Sequence, residues 1–167
     1  MVKCWIKEDI ARLIKTREID KKRFFETYDY DVREDIENAF VRGGSRRGIH
    51  RVSAKASYNS DLKLVEFDMQ LQASAWYWYQ KLAQIIPNPD DQFWVIFENW
   101  RYWGRYWIYE GYMPELVIIL NEVSRADFYL VSKNLDWLIA ERAVDNVVQF
   151  VGENICTDIF QTIIEGE

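Results

Sequence analysis

The apolar and polar positions of this chain change period several times, and each change marks an element. From Val2 to Lys15, the residues Ile6, Ile10, Leu13 and Ile14 recur at helical spacing with Lys7, Glu8, Asp9, Arg12 and Lys15 opposite them. That is one amphipathic helix, and Glu8 placed four residues before Arg12 adds about 0.2–0.5 kcal/mol to it. Thr16 to Tyr30 mixes charge with Phe24, Phe25, Tyr28 and Tyr30, shows no clean period, and reads as a turn with one helical turn. Asp31 followed three residues later by Glu34 resembles a capping box. It opens a second helix whose buried stripe is Val32, Ile36, Ala39 and Phe40 and which Gly43-Gly44 stops.

Further along, Val65, Phe67, Met69 and Leu71 alternate with Glu66, Asp68, Gln70 and Gln72, the period of two of a half-exposed strand. A less regular strand from Arg51 to Tyr58 is its hairpin partner across Asn59-Ser60-Asp61. Ala73 to Ile86 returns to helical spacing, with Ala75, Tyr79, Leu82, Ala83 and Ile86 on one face, and Pro87-Asn88-Pro89 cannot continue it. Phe93 to Trp100 is apolar on both faces for its first five residues, as a strand covered on both sides would be. Tyr106 to Tyr109 is its hairpin partner, joined through Gly104. Gly111 and Pro114 mark the start of a helix with Leu116, Val117, Leu120 and Val123 as its apolar face, ending near Asn121 to Ser124.

Three short runs rich in aromatic and β-branched residues then follow, Phe128–Ser132, Trp137–Ala143 and Val147–Val151, separated by segments containing Asn and Asp. This is the pattern of an antiparallel three-stranded meander. Asn154 is placed to cap a last helix with Ile155, Ile159, Phe160, Ile163 and Ile164 on its buried side. The elements together predict a single α+β domain over residues 1–167, a mostly antiparallel sheet of about five to seven strands with helices packed against it.

Composition narrows the function classes. The 27 acidic and 21 basic residues give a net charge of −6, which opposes non-specific attraction to nucleic acid or anionic lipid and favours a basic partner. No apolar run approaches the roughly 20 residues of a membrane span. Lys3, Lys7, Glu8 and Asp9 interrupt any secretory signal pattern, and Cys4 and Cys156 stand at opposite ends, so a reducing cytoplasm is expected. The one basic cluster, Ser45 to Arg51, lacks the spacing of a phosphate-binding loop and the interleaved aromatics of a base-stacking surface. His50 is the only histidine and sits among arginines, without catalytic company. Neither CxxC, HxxxH nor an EF-hand spacing occurs, so no metal or cofactor is expected. The carboxylate pairs Asp29 with Asp31 and Asp90 with Asp91 fall at helix starts or loops, where Asp serves local hydrogen bonding.

What stands out is the aromatic content, with eight tryptophans and ten tyrosines. Two constellations follow. Tyr102, Trp103 and Arg105 lie at the tip of the expected hairpin, and these residue types dominate binding energy at protein interfaces. The acidic edge of the second helix, Asp31, Glu34 and Asp35, is a further surface for a basic partner. The other constellation is an aromatic pocket of Trp94, Trp100, Trp107 and Trp137 faced by Glu98 and Glu141, carboxylates inside apolar strands whose burial requires a partner such as Arg101, Arg142 or a tyrosine hydroxyl.

The segments Trp107-Ile108-Tyr109-Glu110-Gly111, Phe128 to Lys133 and Trp137 to Glu141 resemble, across Phe93 to Gly152, a domain-of-unknown-function family of small bacterial proteins. The family pattern follows the glutamate with an Asn-His-His-Asp run where this chain has Arg142-Ala143-Val144-Asp145, so no role of those histidines carries over. The resemblance implies an immunity-type protein, one that binds and neutralises a toxin domain encoded nearby. The expectation is therefore a non-catalytic protein-binding module. The alternative is a small-molecule-binding protein or enzyme built on the aromatic pocket.

Overall fold

The computed structural model describes residues 5–28, 30–40, 68–72, 78–99, 105–123, 127–142, 147–156 and 158. Its centre is a seven-stranded sheet in the order β1-β4-β3-β5-β6-β7-β2, with every neighbouring pair antiparallel. The strands are β1 (Phe24–Thr27), β2 (Met69–Gln72), β3 (Phe93–Asn99), β4 (Arg105–Gly111), β5 (Asp127–Ser132), β6 (Trp137–Arg142) and β7 (Val147–Gly152). The helices are α1 (Trp5–Thr16), α2 (Tyr30–Phe40), α3 (Leu82–Ile85), preceded by a 3-10 turn at Trp78–Lys81, and α4 (Met113–Glu122). The fold is α+β, as the order of periods predicts.

Both faces of the sheet are covered. On one, α1 through Ile6, Ile10 and Leu13, α3 through Leu82 and Ile85, and α4 through Leu116 and Ile119 pack on Val95, Phe97, Leu130, Ile139 and Phe150. On the other, α2 through Val32 and Ile36 covers Ile96, Ile108, Tyr129, Leu138 and Ala140. Covering on both sides is why β3 and the meander strands carry apolar residues in succession rather than in alternation. The meander is present as predicted, with Leu130 opposite Ile139 and Ile139 opposite Phe150.

Several local expectations change. Within Thr16 to Tyr30, read as a turn, Phe24–Thr27 forms the edge strand β1. Four residues are too few to show a period, and the strand exists because β4 offers its free side. Gly111, expected at a helix start, closes β4, where a Cβ would stand 2.5 Å from Phe24 Cδ2. Asp31 lies inside the first turn of α2 rather than capping it, and Ala39 on the expected stripe is exposed while Glu37 is buried.

In the expected helix Ala73–Ile86, the described part is the 3-10 turn and the single turn of α3, burying Trp78, Leu82 and Ile85 and exposing Ala83. Asn154 takes a positive φ of 64°, a left-handed conformation instead of the extended one of a helix N-cap. The basic loop, the Arg51–Tyr58 strand, Val65 to Phe67, Gly104 and Ile159 to Ile164 lie outside the described residues.

Candidate functional site

The sheet register decides which of the expected site residues meet. Glu141 stands on β6 opposite Phe128 of β5 and Val148 of β7, so its side chain enters the larger core. Two donors reach it from the 3-10 turn. Trp78 Nε1–H and Tyr79 O–H both donate to Glu141 Oε2, each at 2.7 Å. Burial pushes the Glu141 carboxyl above its ordinary value, the two hydrogen bonds pull it part of the way back, and the charge of Asp127 adds to the rise. The Tyr79 hydroxyl is also pushed up, by burial first and then by Glu141. Phe128 packs on both aromatic rings, its centroid 6.3 Å from Trp78 and 5.7 Å from Tyr79. A carboxyl so enclosed cross-links a helical segment to the sheet. The tyrosine hydroxyl was among its expected partners; Trp78 was not, since nothing in its neighbourhood along the chain points to a carboxylate sixty-three residues away.

Trp94 occupies the opposite face. It donates from Nε1 to Glu110 Oε1 at 2.9 Å, and Lys133 Nζ donates to the same oxygen at 2.7 Å while lying 4.5 Å from the Trp94 ring. Glu110 and Lys133 were not foreseen as partners; their link arises because Trp94 pairs in register with both Glu110 and Val131.

The six residues of the expected aromatic pocket therefore do not form one site. Trp94 lies with the smaller cluster, while Trp107 and Trp137 pack with the larger one beyond the sheet. Trp107 and Glu141 share a row but are separated by Phe97 and Phe128, three strand spacings or roughly 14 Å. Trp137 is only 2% exposed and packs on Phe93 with ring centroids 5.6 Å apart. Glu98 is placed opposite Tyr106 and Asp127, its side chain outside the described set, as is all of Trp100.

Of the expected partner-binding residues, Asp31, Glu34 and Asp35 are exposed on α2. Tyr102 and Trp103 lie outside the described residues, and Arg105 opens β4 opposite Asn99. Tyr28 is a further candidate that the sequence pattern passed over. It is 71% exposed just before α2, its hydroxyl donates to Glu26 Oε2 at 2.8 Å, and Lys7 lies 5.7 Å from its ring. Its only signal in the sequence is an aromatic residue beside acidic neighbours. Because Thr27 pairs with Ile108, the chain leaves β1 heading toward the end of the sheet where Arg105 lies.

At the other end, a cleft of about 170 Å³ opens between the segment 87–92 and the β5–β6 turn, with Phe93 and Trp137 among its lining. The turn is locked locally. Ser132 Oγ accepts the N–H groups of Asp136 and Trp137 at 3.0 and 3.3 Å, and its hydroxyl donates to the Asp136 carboxylate. Among the described residues no group of three or more His, Cys, Asp or Glu side chains is arranged to hold a metal ion, and no helix is long and apolar enough to cross a membrane.

Comparison with curated proteins and with solved structures returned no match. A family model does match, over residues 3–161, and its family is described as one of unknown function. With nearly the whole length aligned, the chain belongs to that family, DUF6756.

Proposed function

We propose that the protein is a non-catalytic protein-binding module, an immunity-type inhibitor that neutralises a bacterial toxin domain of basic charge in the cytoplasm. The observation that carries this reading is the start of α2, where Tyr28, 71% exposed, precedes a helix on which Asp31, Glu34 and Asp35 are exposed as well. An aromatic ring offers rigid contact area at small entropic cost, and surrounding acids select a basic partner. Arg105, which opens β4, lies at the end of the sheet toward which the chain leaves β1 on its way to α2. Glu141 and Trp137, by contrast, are occupied inside the core, which turns the reading away from an aromatic catalytic pocket.

Co-purification with the product of the neighbouring gene, followed by calorimetry, tests the proposal. Tyr28→Ala combined with Asp31→Asn and Asp35→Asn is expected to weaken the complex by at least about 2 kcal/mol, with the unfolding midpoint unchanged. Arg105→Ala with Trp103→Ala measures the hairpin's share in the same way. Failure of every neighbouring product to bind the unaltered protein would refute the inhibitor reading. Undiminished binding by both sets of variants would place the interface elsewhere.

A further inference from the structure

We propose that Glu141 is a proton-controlled latch, holding the segment 78–85 and the chain at Cys156 against the sheet firmly while its carboxyl carries a proton and more loosely once it ionises. The proposal is independent of the inhibitor reading, since it concerns the larger core and not the surface of α2. The segment has few other polar ties to the sheet. Trp78, Leu82 and Ile85 are its buried apolar side chains, the two donors to Glu141 come from its first two residues, and its far end is joined to the chain beyond β7 by the Cys156 N–H, which donates to the Ile85 carbonyl at 2.8 Å. Whatever loosens the 3-10 turn therefore also loosens the chain at Cys156.

The geometry around Glu141 suits the neutral acid better than the ion. The residue is 9% exposed, and both donors converge on Oε2, so Oε1 receives no hydrogen bond from the described residues. A carboxylate spreads its charge over two oxygens and accepts at about four lone-pair sites, whereas a protonated acid needs acceptance mainly at its carbonyl oxygen. Each element packed on Glu141 withholds a cation. Across the strands its neighbours are Phe128 of β5 and Val148 of β7, and the charged group that β5 contributes is Asp127, of like sign. The 3-10 turn offers Tyr79, while its Lys81 is exposed; α3 carries no titratable residue; and on α4, which packs on the turn, Glu115 and Glu122 are committed to Arg23 and Arg17. The docked carboxyl accordingly holds its proton more tightly than it would in water. Docking is then strongest below the ordinary carboxyl range, weakens as pH rises, and levels off once the docked carboxyl has ionised too. The apolar burial of three large side chains outweighs one proton, so the docked form stays in the majority and pH sets the population of a locally open minority.

Amide hydrogen exchange of the ¹⁵N-labelled full chain, corrected for the intrinsic rate at each pH, tests the latch. The reporters are the Ile86 amide, bonded to the Leu82 carbonyl, and the Cys156 amide, with Ile139 at the centre of β6 as the marker of global unfolding and Arg17 at the end of α1 as a local control. Ile86 and Cys156 are expected to be less protected than Ile139, and their protection should fall by up to about tenfold per pH unit above the ordinary carboxyl range, while that of Arg17 holds steady. Glu141→Gln should abolish the fall at Ile86 and Cys156. Tyr79→Phe removes a donor that favours the ion and should carry the fall to higher pH, a shift that a merely structural hydrogen bond would not produce. The comparison of Ile86 and Cys156 with Ile139 in the unaltered protein stands even if both variants misfold. Protection of the three amides that is equal at every pH would mean that the segment opens only with the whole protein, and protection of Ile86 and Cys156 indifferent to pH would mean that no proton holds it. Either result, or a fall that persists in Glu141→Gln, would overturn the proposal. None of these outcomes depends on whether a neighbouring gene product binds, so the two proposals fail separately.

Discussion

Glu141 shows how much a single position in a strand can depend on residues far away in the chain. Its carboxyl is held by Trp78 Nε1–H and Tyr79 O–H in a core that raises its pKa through burial. A group whose pKa is higher in the folded state stabilises the fold most below its unfolded pKa, and that contribution is lost as pH rises through the folded value. For Glu141 the loss begins near the ordinary carboxyl range and continues upward. Glu141→Gln keeps an oxygen for both donors and removes the ionisation. It is therefore expected to match or exceed the native protein in stability at pH 7, with its advantage shrinking toward pH 4, as urea unfolding at several pH values would reveal. A pH-independent difference between the two proteins would show that the carboxylate stays charged without cost. Glu141→Ala, which orphans both donors and opens a void, should cost about 2–5 kcal/mol near pH 4, where the native carboxyl is neutral, and less as pH rises.

The element that integrates the fold is β6. It pairs with both β5 and β7, sends Trp137, Ile139 and Glu141 into the larger core, and sends Leu138 and Ala140 toward α2. Both faces of this strand are therefore needed to hold helices. Leu138 is completely buried, and its neighbours belong to a sheet that cannot collapse readily into the space it would leave. Leu138→Ala should cost about 2–5 kcal/mol, measured as a lower denaturation midpoint. The end of β7 reinforces the same register. Gly152 has a φ of 117°, and a Cβ there would stand 2.3 Å from the Asp136 carbonyl oxygen, so only glycine fits where the strand closes on the turn. An unchanged midpoint for Leu138→Ala would mean that β6 is not the strand on which both layers rest.

Over the whole molecule, the net charge of −6 acts at longer range than any single contact. With Asp31, Glu34 and Asp35 exposed on one helix, association with a basic partner should be steered electrostatically. Raising salt from about 50 to 500 mM should slow association severalfold and change dissociation little, because screening acts on the encounter more than on the formed interface. Stopped-flow or surface-based kinetics would read both rates. An association rate indifferent to salt would remove the role assigned to the acidic face of α2, while leaving Tyr28 as a contact.

The local pattern by itself determined that α1, α2 and α4 are helices, that β2 to β7 are strands, and that the class is α+β, because each helix has an apolar stripe and each strand an alternation or a short apolar run bounded by turn residues, all legible within a dozen residues. It also fixed the acidic character of α2, since Asp31, Glu34 and Asp35 fall off its apolar stripe. The β3–β4 hairpin and the meander were legible too, but only the tertiary structure decided which segments distant in sequence meet. β1 became a strand because β4 had an open side, Trp94 and Trp137 were parted because successive positions point through opposite faces of a sheet, and Glu141 found Trp78 and Tyr79 because the 3-10 turn that carries them packs over β6. Such partnerships are set by register and layer packing between segments distant in sequence, and a period measured inside one segment carries no record of them.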